Sequence, residues 1–184
     1  MKRRLFLTGE MGCGKSTAIL KAVGENLPQF GGFLTRRITD EDGHALSFYL
    51  SSPDGTQKVT FLDCSGASPV LQMEVFRDLA PGLMTGDCLI LDEIGGIELL
   101  CPEFMAALEQ VLASDIPILG VLKGEGPASA MIRRLGLAEG YETAANALRM
   151  RLMKDENTLV YQCTQFDPQA LTLAEAWVKE YAHE

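Results

Sequence analysis

The chain has 184 residues, of which 47% are hydrophobic and 22% are charged. These proportions exclude a disordered chain, and the length predicts a single α/β domain over residues 1–184. The formal net charge is -9, with 25 acidic against 16 basic side chains, which argues against nucleic acid or an anionic membrane surface as a partner. A bound polyphosphate then has to be neutralised locally, by a lysine, backbone amides and a metal ion.

The amino terminus and the cysteines predict a cytoplasmic protein. After the basic start Met1–Arg4, the apolar run Leu5–Leu7 is too short for the core of a signal peptide. No uninterrupted apolar stretch approaches the roughly 20 residues of a membrane-spanning helix. The five cysteines are scattered without a CxxC pair, which predicts free thiols in a reducing compartment rather than disulfides or a zinc site.

The first elements in chain order are a strand, a glycine-rich loop and a helix. Residues Arg4 to Thr8 are predicted as a short buried strand, which the glycine-rich segment Gly9–Gly14 ends. From Lys15 to about Asn26, apolar residues recur at helical spacing.

The next segment predicts an antiparallel hairpin ribbon within residues 31–62. Its three β-type runs are Gly32–Ile38, Ala45–Leu50 and Lys58–Leu62, and they are separated by Asp-Gly pairs. Asp-Gly favours tight hairpin turns, because glycine accepts the positive φ that such turns need. Residues Val70 to Leu79 are then predicted as a helix.

The remaining chain alternates between strands and helices, which predicts a mainly parallel sheet covered on both faces. Cys88–Leu91 is an apolar run typical of a buried parallel strand. Predicted elements after it are a helix over Pro102–Ala113, a strand over Ile116–Leu122, helices over Ala128–Leu135 and Glu142–Met153, a strand over Thr158–Cys163 and a closing helix over Pro168–Tyr181.

Residues 9–16 match the phosphate-binding pattern G-x-x-x-x-G-K-[ST] without a mismatch. The glycines let successive N–H groups point at an anion, and the following helix adds the positive end of its dipole. Lys15 is expected at the β- and γ-phosphates, the Ser16 hydroxyl at Mg²⁺, and Thr17 at the α-phosphate. The predicted nucleotide-binding residues are Gly9, Glu10, Met11, Gly12, Cys13, Gly14, Lys15, Ser16 and Thr17.

An acidic pair ends the strand that begins at Cys88. Asp92 is predicted to assist the metal together with Ser16, and Glu93 is placed to polarise a water aimed at the γ-phosphate. With Lys15, Glu93 is the predicted catalytic residue. The Asp-Glu pair favours hydrolysis over transfer to a second substrate.

These motifs resemble the THEP-type nucleoside-triphosphatase family, which includes the human cancer-related nucleoside-triphosphatase. The resemblance rests on Phe6–Gly9, Gly32–Thr35, Asp92–Gly95 continuing to Glu98-Leu99, and Pro117–Gly120. It implies a RecA-like P-loop fold, with Asp92 assisting Mg²⁺ and Glu93 as the hydrolytic base. It also implies slow Mg²⁺-dependent hydrolysis of ATP, GTP and other triphosphates with loose base specificity. The chain departs from the family pattern at Arg36-Arg37, Gly96-Ile97 and Gly120–Lys123.

Two other functions fit the same motif. A small-molecule or nucleoside kinase has this size and would cover the phosphates with an arginine-bearing segment, for which Arg133-Arg134 is a candidate. A nucleotide-dependent switch would use the hairpin ribbon as a contact surface.

The candidates for an arginine that stabilises transition-state charge are Arg36, Arg37, Arg133 and Arg134. For each of them, the commoner role of an arginine is that of a solvated surface residue. The preferred base, the oligomeric state and protein partners stay open.

Overall fold

The computed structural model describes residues 1–124 and 130–182. Within these residues, eight strands form one sheet in the order β5-β4-β3-β2-β6-β7-β1-β8. The strands are β1 (Arg4–Thr8), β2 (Gly31–Thr39), β3 (Ala45–Ser51), β4 (Lys58–Asp63), β5 (Val70–Leu71), β6 (Leu89–Ile94), β7 (Ile118–Leu122) and β8 (Thr158–Gln162).

The parallel half of the sheet contains β2, β6, β7, β1 and β8. Every residue of β1 and β7 is buried, as expected for parallel strands covered by helices on both faces. Strand β7 separates β1 from β6, and the carboxyl ends of all three strands meet at one edge. The predicted mainly parallel sheet is confirmed.

The predicted ribbon is antiparallel, but it is continuous with the main sheet rather than separate from it. Residues Gly31–Phe33 of β2 pair in parallel with β6, and from Leu34 onward β2 pairs antiparallel with β3. The parallel pairing requires glycine. A Cβ atom on Gly31 would lie 1.7 Å from the Thr85 carbonyl oxygen, and one on Gly32 would lie 1.9 Å from that of Ile90.

Helices cover both faces of the sheet. The α-helices are α1 (Lys15–Val23), α2 (Ala80–Leu83), α3 (Pro102–Ala113), α4 (Ala130–Arg134), α5 (Ala138–Lys154) and α6 (Pro168–Tyr181). Shorter 3₁₀ helices span Gly24–Gln29 and Ile97–Leu100, and a π-helical turn spans Val75–Leu79. None of the helices in the described ranges is long and apolar enough to cross a bilayer.

Three helix predictions differ from the structure. Helix α1 ends at Val23, because Gly24 has a φ of 57° and a 3₁₀ helix containing Pro28 follows. The helix predicted over Val70–Leu79 is wrong in its first part, since Val70 and Leu71 pair with Asp63 and Leu62 at the edge of the ribbon. Helix α5 begins at Ala138, four residues before its predicted start. Residues 128 and 129 of the helix predicted over 128–135 lie outside the described residues.

The two faces of the sheet have separate hydrophobic cores. Residues of α3 and α5 pack on one face with Phe6, Phe33 and Phe76. On the other face α1 and α6 pack on Leu5, Leu7 and neighbouring residues. Trp177 is fully buried in this second core and its indole N–H donates to the Arg3 carbonyl oxygen at 3.0 Å.

Candidate active site

The glycine loop joins β1 to α1 and presents the helix amino terminus. Gly12 and Gly14 have φ values of 80° and 98°, which glycine adopts without the steric cost that a Cβ atom brings. Gly14 is the N-cap and no side chain caps α1. The N–H groups of the first helical turn therefore point out of the helix end, where they can bind an anion.

Lys15 folds back over the loop. Its Nζ donates to the carbonyl oxygens of Gly9 at 3.0 Å and Glu10 at 2.6 Å, and it lies 3.6 Å from Cys13 Sγ. Burial raises the pKa of both acids at the end of β6, and the positive charge of Lys15 opposes that rise. Lys15 therefore contacts the loop carbonyl groups, and its charge acts on the acidic pair.

Ser16 and Asp92 come from separate elements and meet directly. The Ser16 hydroxyl donates to Asp92 Oδ1 at 2.7 Å, and Arg36 Nη1 donates to Asp92 Oδ2, also at 2.7 Å. The Asp92 side chain is only 2% exposed. Desolvation by burial raises the pKa of its carboxyl group, and the hydrogen bond from Ser16 and the charges of Arg36 and Lys15 oppose that shift.

Glu93 lies on the other side of the β6 end from Ser16. Its φ is 70°, an uncommon value outside glycine, and the register of β6 against β7 shifts between Leu91 and Ile94. The side chain is exposed to solvent. It nevertheless lines a concave surface, where protein atoms surround it. Desolvation raises the pKa of its carboxyl group, Asp92 raises it further, and Lys123, Lys15 and Arg37 lower it.

A buried glutamate fixes the segment that follows Glu93. Glu98 Oε1 accepts hydrogen bonds from the N–H groups of Gly95 and Gly96, each at 2.7 Å. The Glu98 side chain is 6% exposed, and this burial raises the pKa of its carboxyl group. Gly95 has a φ of 97°, so the chain makes a sharp turn at this point.

The four candidate arginines differ in whether they contact residues of the site. Arg36 binds Asp92, and Arg37 Nη1 lies 3.6 Å from Met11 Sδ on the glycine loop. By contrast, Arg133 is exposed, and Arg134 donates to the carbonyl oxygen of Ala67 between β4 and β5. Strand β2 therefore supplies two cations to the site, and α4 does not supply one through these contacts.

The structure brings together the predicted residues Lys15, Ser16, Asp92 and Glu93. The other loop residues are mostly exposed at the same edge: Met11 is 81% exposed and Glu10 and Thr17 are also exposed. The sequence did not predict that the charge of Lys123 acts on Glu93, nor that Glu98 holds the turn after Glu93. The sequence signals for Lys123 were its position directly after β7 and the departure from the family pattern over Gly120–Lys123.

The oxygen donors at this edge fit a magnesium ion. Ser16 Oγ and Asp92 Oδ1 lie 2.7 Å apart beside the phosphate-binding loop. Hydroxyl and carboxylate oxygens are the ligands that this hard cation takes from proteins, usually one or two of them together with phosphate and water. Ser16 and Asp92 are therefore the residues that would hold it.

Comparisons with known proteins find relatives that are similar in sequence. A sequence profile of the NTPase family matches residues 4–147. Nucleoside-triphosphatase THEP1 of Methanocaldococcus jannaschii is 31% identical over an alignment of 134 residues, and the match covers 65% of this chain and 77% of that protein. The human cancer-related nucleoside-triphosphatase is 31% identical over 142 residues, covering 65% of this chain and 74% of that one.

A solved structure is similar along nearly the whole chain. The solution structure of a human cancer-related nucleoside triphosphatase superimposes with a TM-score of 0.63 at 20% sequence identity, and the match covers 96% of each chain. At this identity the likeness shows the fold. The predicted P-loop fold, with a mainly parallel sheet, flanking helices and an antiparallel portion, is confirmed.

Proposed function

The chain belongs to the NTPase family, and from that membership we propose that it hydrolyses nucleoside 5′-triphosphates, ATP and GTP among them, to the diphosphate and phosphate with Mg²⁺. Its relatives are named nucleoside-triphosphatases. One observation carries the proposal: the Ser16–Asp92 hydrogen bond of 2.7 Å joins the end of the glycine loop to the strand that ends in Glu93. A loop that binds phosphate, an oxygen pair that fits a metal and a candidate base thus meet at one edge of the sheet.

Binding of the triphosphate is assigned to the loop and to Lys15. The first-turn N–H groups of α1 face the phosphates, and Lys15 exchanges its carbonyl partners Gly9 and Glu10 for phosphate oxygens. Arg36 and Arg37 add positive charge from β2, where charge accumulates on the transferring phosphoryl group. When bound, Mg²⁺ neutralises charge on the β- and γ-phosphates, and Ser16 and Asp92 are the protein groups that hold it.

Glu93 is assigned as the base that orients the attacking water and takes up its proton. A carboxylate does this best when its pKa is close to the working pH, and the desolvation at Glu93 moves the pKa in that direction. The positive charge of Lys123 limits this rise in the pKa of Glu93. Glu98 holds Gly95 and Gly96 and so positions the turn that follows the base. We place the enzyme in the cytoplasm.

Phosphate release from ATP, GTP, CTP and UTP with Mg²⁺ tests the proposal. We expect turnover by the unmodified enzyme. The Glu93→Gln variant should bind nucleotide normally and lose about 10²- to 10⁴-fold in rate, since general-base catalysis contributes about that much. The Lys15→Ala variant should lose nucleotide binding. Tight nucleotide binding by the unmodified enzyme without phosphate release would refute hydrolysis and leave transfer to an acceptor or a nucleotide-dependent switch.

A further inference from the structure

A cavity of about 330 Å³ opens beside Glu93, on the face of the sheet opposite Ser16. Its walls are aromatic and aliphatic, with Phe33 and Phe76 from the core, Phe48 and Phe61 from the ribbon, and Ile132 and Leu135 from the α4 region. A water molecule occupies about 30 Å³, so hydrolysis alone needs only a small part of this space. The volume is at the lower end of the range for small-molecule sites.

The cavity has one polar end, and that end is the catalytic edge. Glu93, Glu98 and Lys123 line it, together with Met11 of the glycine loop. Glu93 therefore faces both the phosphate-binding loop and the apolar cavity. Asp92 contacts Ser16 of α1, whereas the next residue, Glu93, lines the cavity together with Phe33 and Phe76.

The nucleobase does not account for this cavity. The predicted order of contacts places the γ-phosphate near Lys15 and Glu93 and the α-phosphate near Thr17, so the nucleoside lies at the end of the triphosphate away from Glu93. A larger cavity of about 520 Å³ lies between β8 and α5, where Gly9 and Glu10 line it. Its lining contains none of Lys15, Asp92 and Glu93, so a group bound there would lie away from these residues.

We propose that the cavity beside Glu93 binds a small alcohol whose apolar part is about the size of an aromatic ring. We propose further that this alcohol accepts the γ-phosphoryl group. Glu93 takes the hydroxyl proton as the alcohol oxygen bonds to the γ-phosphorus. The bond from that phosphorus to the β,γ-bridging oxygen breaks, and the diphosphate leaves with the electron pair. Triphosphate and alcohol thus give diphosphate, phosphate monoester and one proton.

The charges at the polar end select the class of acceptor. Two carboxyl groups and one ammonium group face the cavity there. A neutral hydroxyl group can donate to a carboxylate, whereas an acceptor that carries its own carboxylate would be repelled by Glu93 and Glu98. The apolar walls favour a hydrocarbon body, because its burial removes apolar surface from water.

The test incubates the enzyme with Mg²⁺-ATP and benzyl alcohol, 2-phenylethanol or cyclohexylmethanol, and follows products by ³¹P NMR. We expect a new phosphate monoester to form in competition with inorganic phosphate. The Leu135→Trp variant fills the cavity and should reduce the ratio of ester to phosphate at least tenfold. The Ile38→Trp variant is the matched control: it adds the same side chain at an exposed ribbon position outside the cavity lining. Nucleotide binding by both variants reports on folding.

The outcomes separate this proposal from hydrolysis. Phosphate release without ester from any of the three alcohols at saturating concentration overturns the acceptor and leaves the proposed hydrolysis standing. Ester formation with no phosphate release in the absence of alcohol supports the acceptor and overturns hydrolysis. Equal ester formation by the Leu135→Trp and Ile38→Trp variants places the acceptor elsewhere and also overturns the proposal.

Discussion

Arg36 Nη1 lies 2.7 Å from Asp92 Oδ2, so the carboxylate that accepts from Ser16 is also bound by the neighbouring strand β2. The Arg36 side chain is 27% exposed and Asp92 is almost fully buried. An ion pair in this setting stabilises the ionised form of Asp92 against the cost of its burial. It also places a permanent cation on the carboxylate that we assign to the metal.

Replacing Arg36 should therefore change the metal requirement. We expect the Arg36→Ala variant to reach half-maximal nucleotide binding at about 3- to 10-fold lower Mg²⁺, since the metal no longer shares Asp92 with a guanidinium group. This factor corresponds to roughly 0.7–1.4 kcal/mol, in the range of partly exposed ion pairs. The measurement is a Mg²⁺ titration with a fluorescent triphosphate analogue.

Arg37→Ala is the control for this titration, because Arg37 contacts Met11 in the glycine loop and comes from the same strand. Its removal changes the site charge by the same amount without freeing Asp92. An Arg36→Ala midpoint that equals the Arg37→Ala midpoint, or lies above that of the unmodified enzyme, would contradict a direct competition at Asp92.

The pH dependence of turnover should reveal the electrostatic effect of Lys123 on Glu93. The base works as a carboxylate, so the rate falls at acidic pH as Glu93 is protonated. Because the pKa of Glu93 is raised by desolvation and Lys123 opposes the rise, loss of this cation raises the pKa further. The Lys123→Met variant should therefore lose activity at a higher pH than the unmodified enzyme does. The measurement is phosphate release as a function of pH.

Lys123→Arg is the matched variant for the pH profile, since it keeps the positive charge. The pH at which the Lys123→Arg variant loses activity on the acidic side should stay near that of the unmodified enzyme. If Lys123→Met loses activity at the same pH as the unmodified enzyme, or at a lower pH, another group controls the protonation of the base.

Local patterns in the sequence were enough to predict the strand, glycine loop and helix of the proposed phosphate-binding half of the site. Residues 9–16 are contiguous, and their function depends on a strand, a turn and a helix that follow one another in the chain. Asp92 was also predictable, because an acid at the end of a buried apolar run lies at the sheet edge where the loop lies. Helices α3 and α6 matched their predicted bounds, since Pro102 and Pro168 mark their first turns.

Features that depend on strand neighbours were not predictable from the sequence. Arg36 reaches Asp92 only because β2 pairs with β6, and no local pattern encodes that pairing. The same pairing makes the ribbon continuous with the main sheet. Val70 and Leu71 were assigned to a helix from their local composition, whereas an available edge on β4 recruits them as a strand.

The hydrogen bonds to Glu98 allow a test of how the turn after the base is stabilised. The buried Glu98 carboxylate accepts from the Gly95 and Gly96 amides, and an unpaired buried amide costs about 1–3 kcal/mol. We therefore expect Glu98→Ala to lower the free energy of unfolding by about 2–5 kcal/mol, and Glu98→Gln to lower it by less than half as much, because an amide oxygen can still accept. Urea unfolding of both variants measures this difference. Equal destabilisation would mean that the negative charge of Glu98, rather than an acceptor oxygen, stabilises the turn.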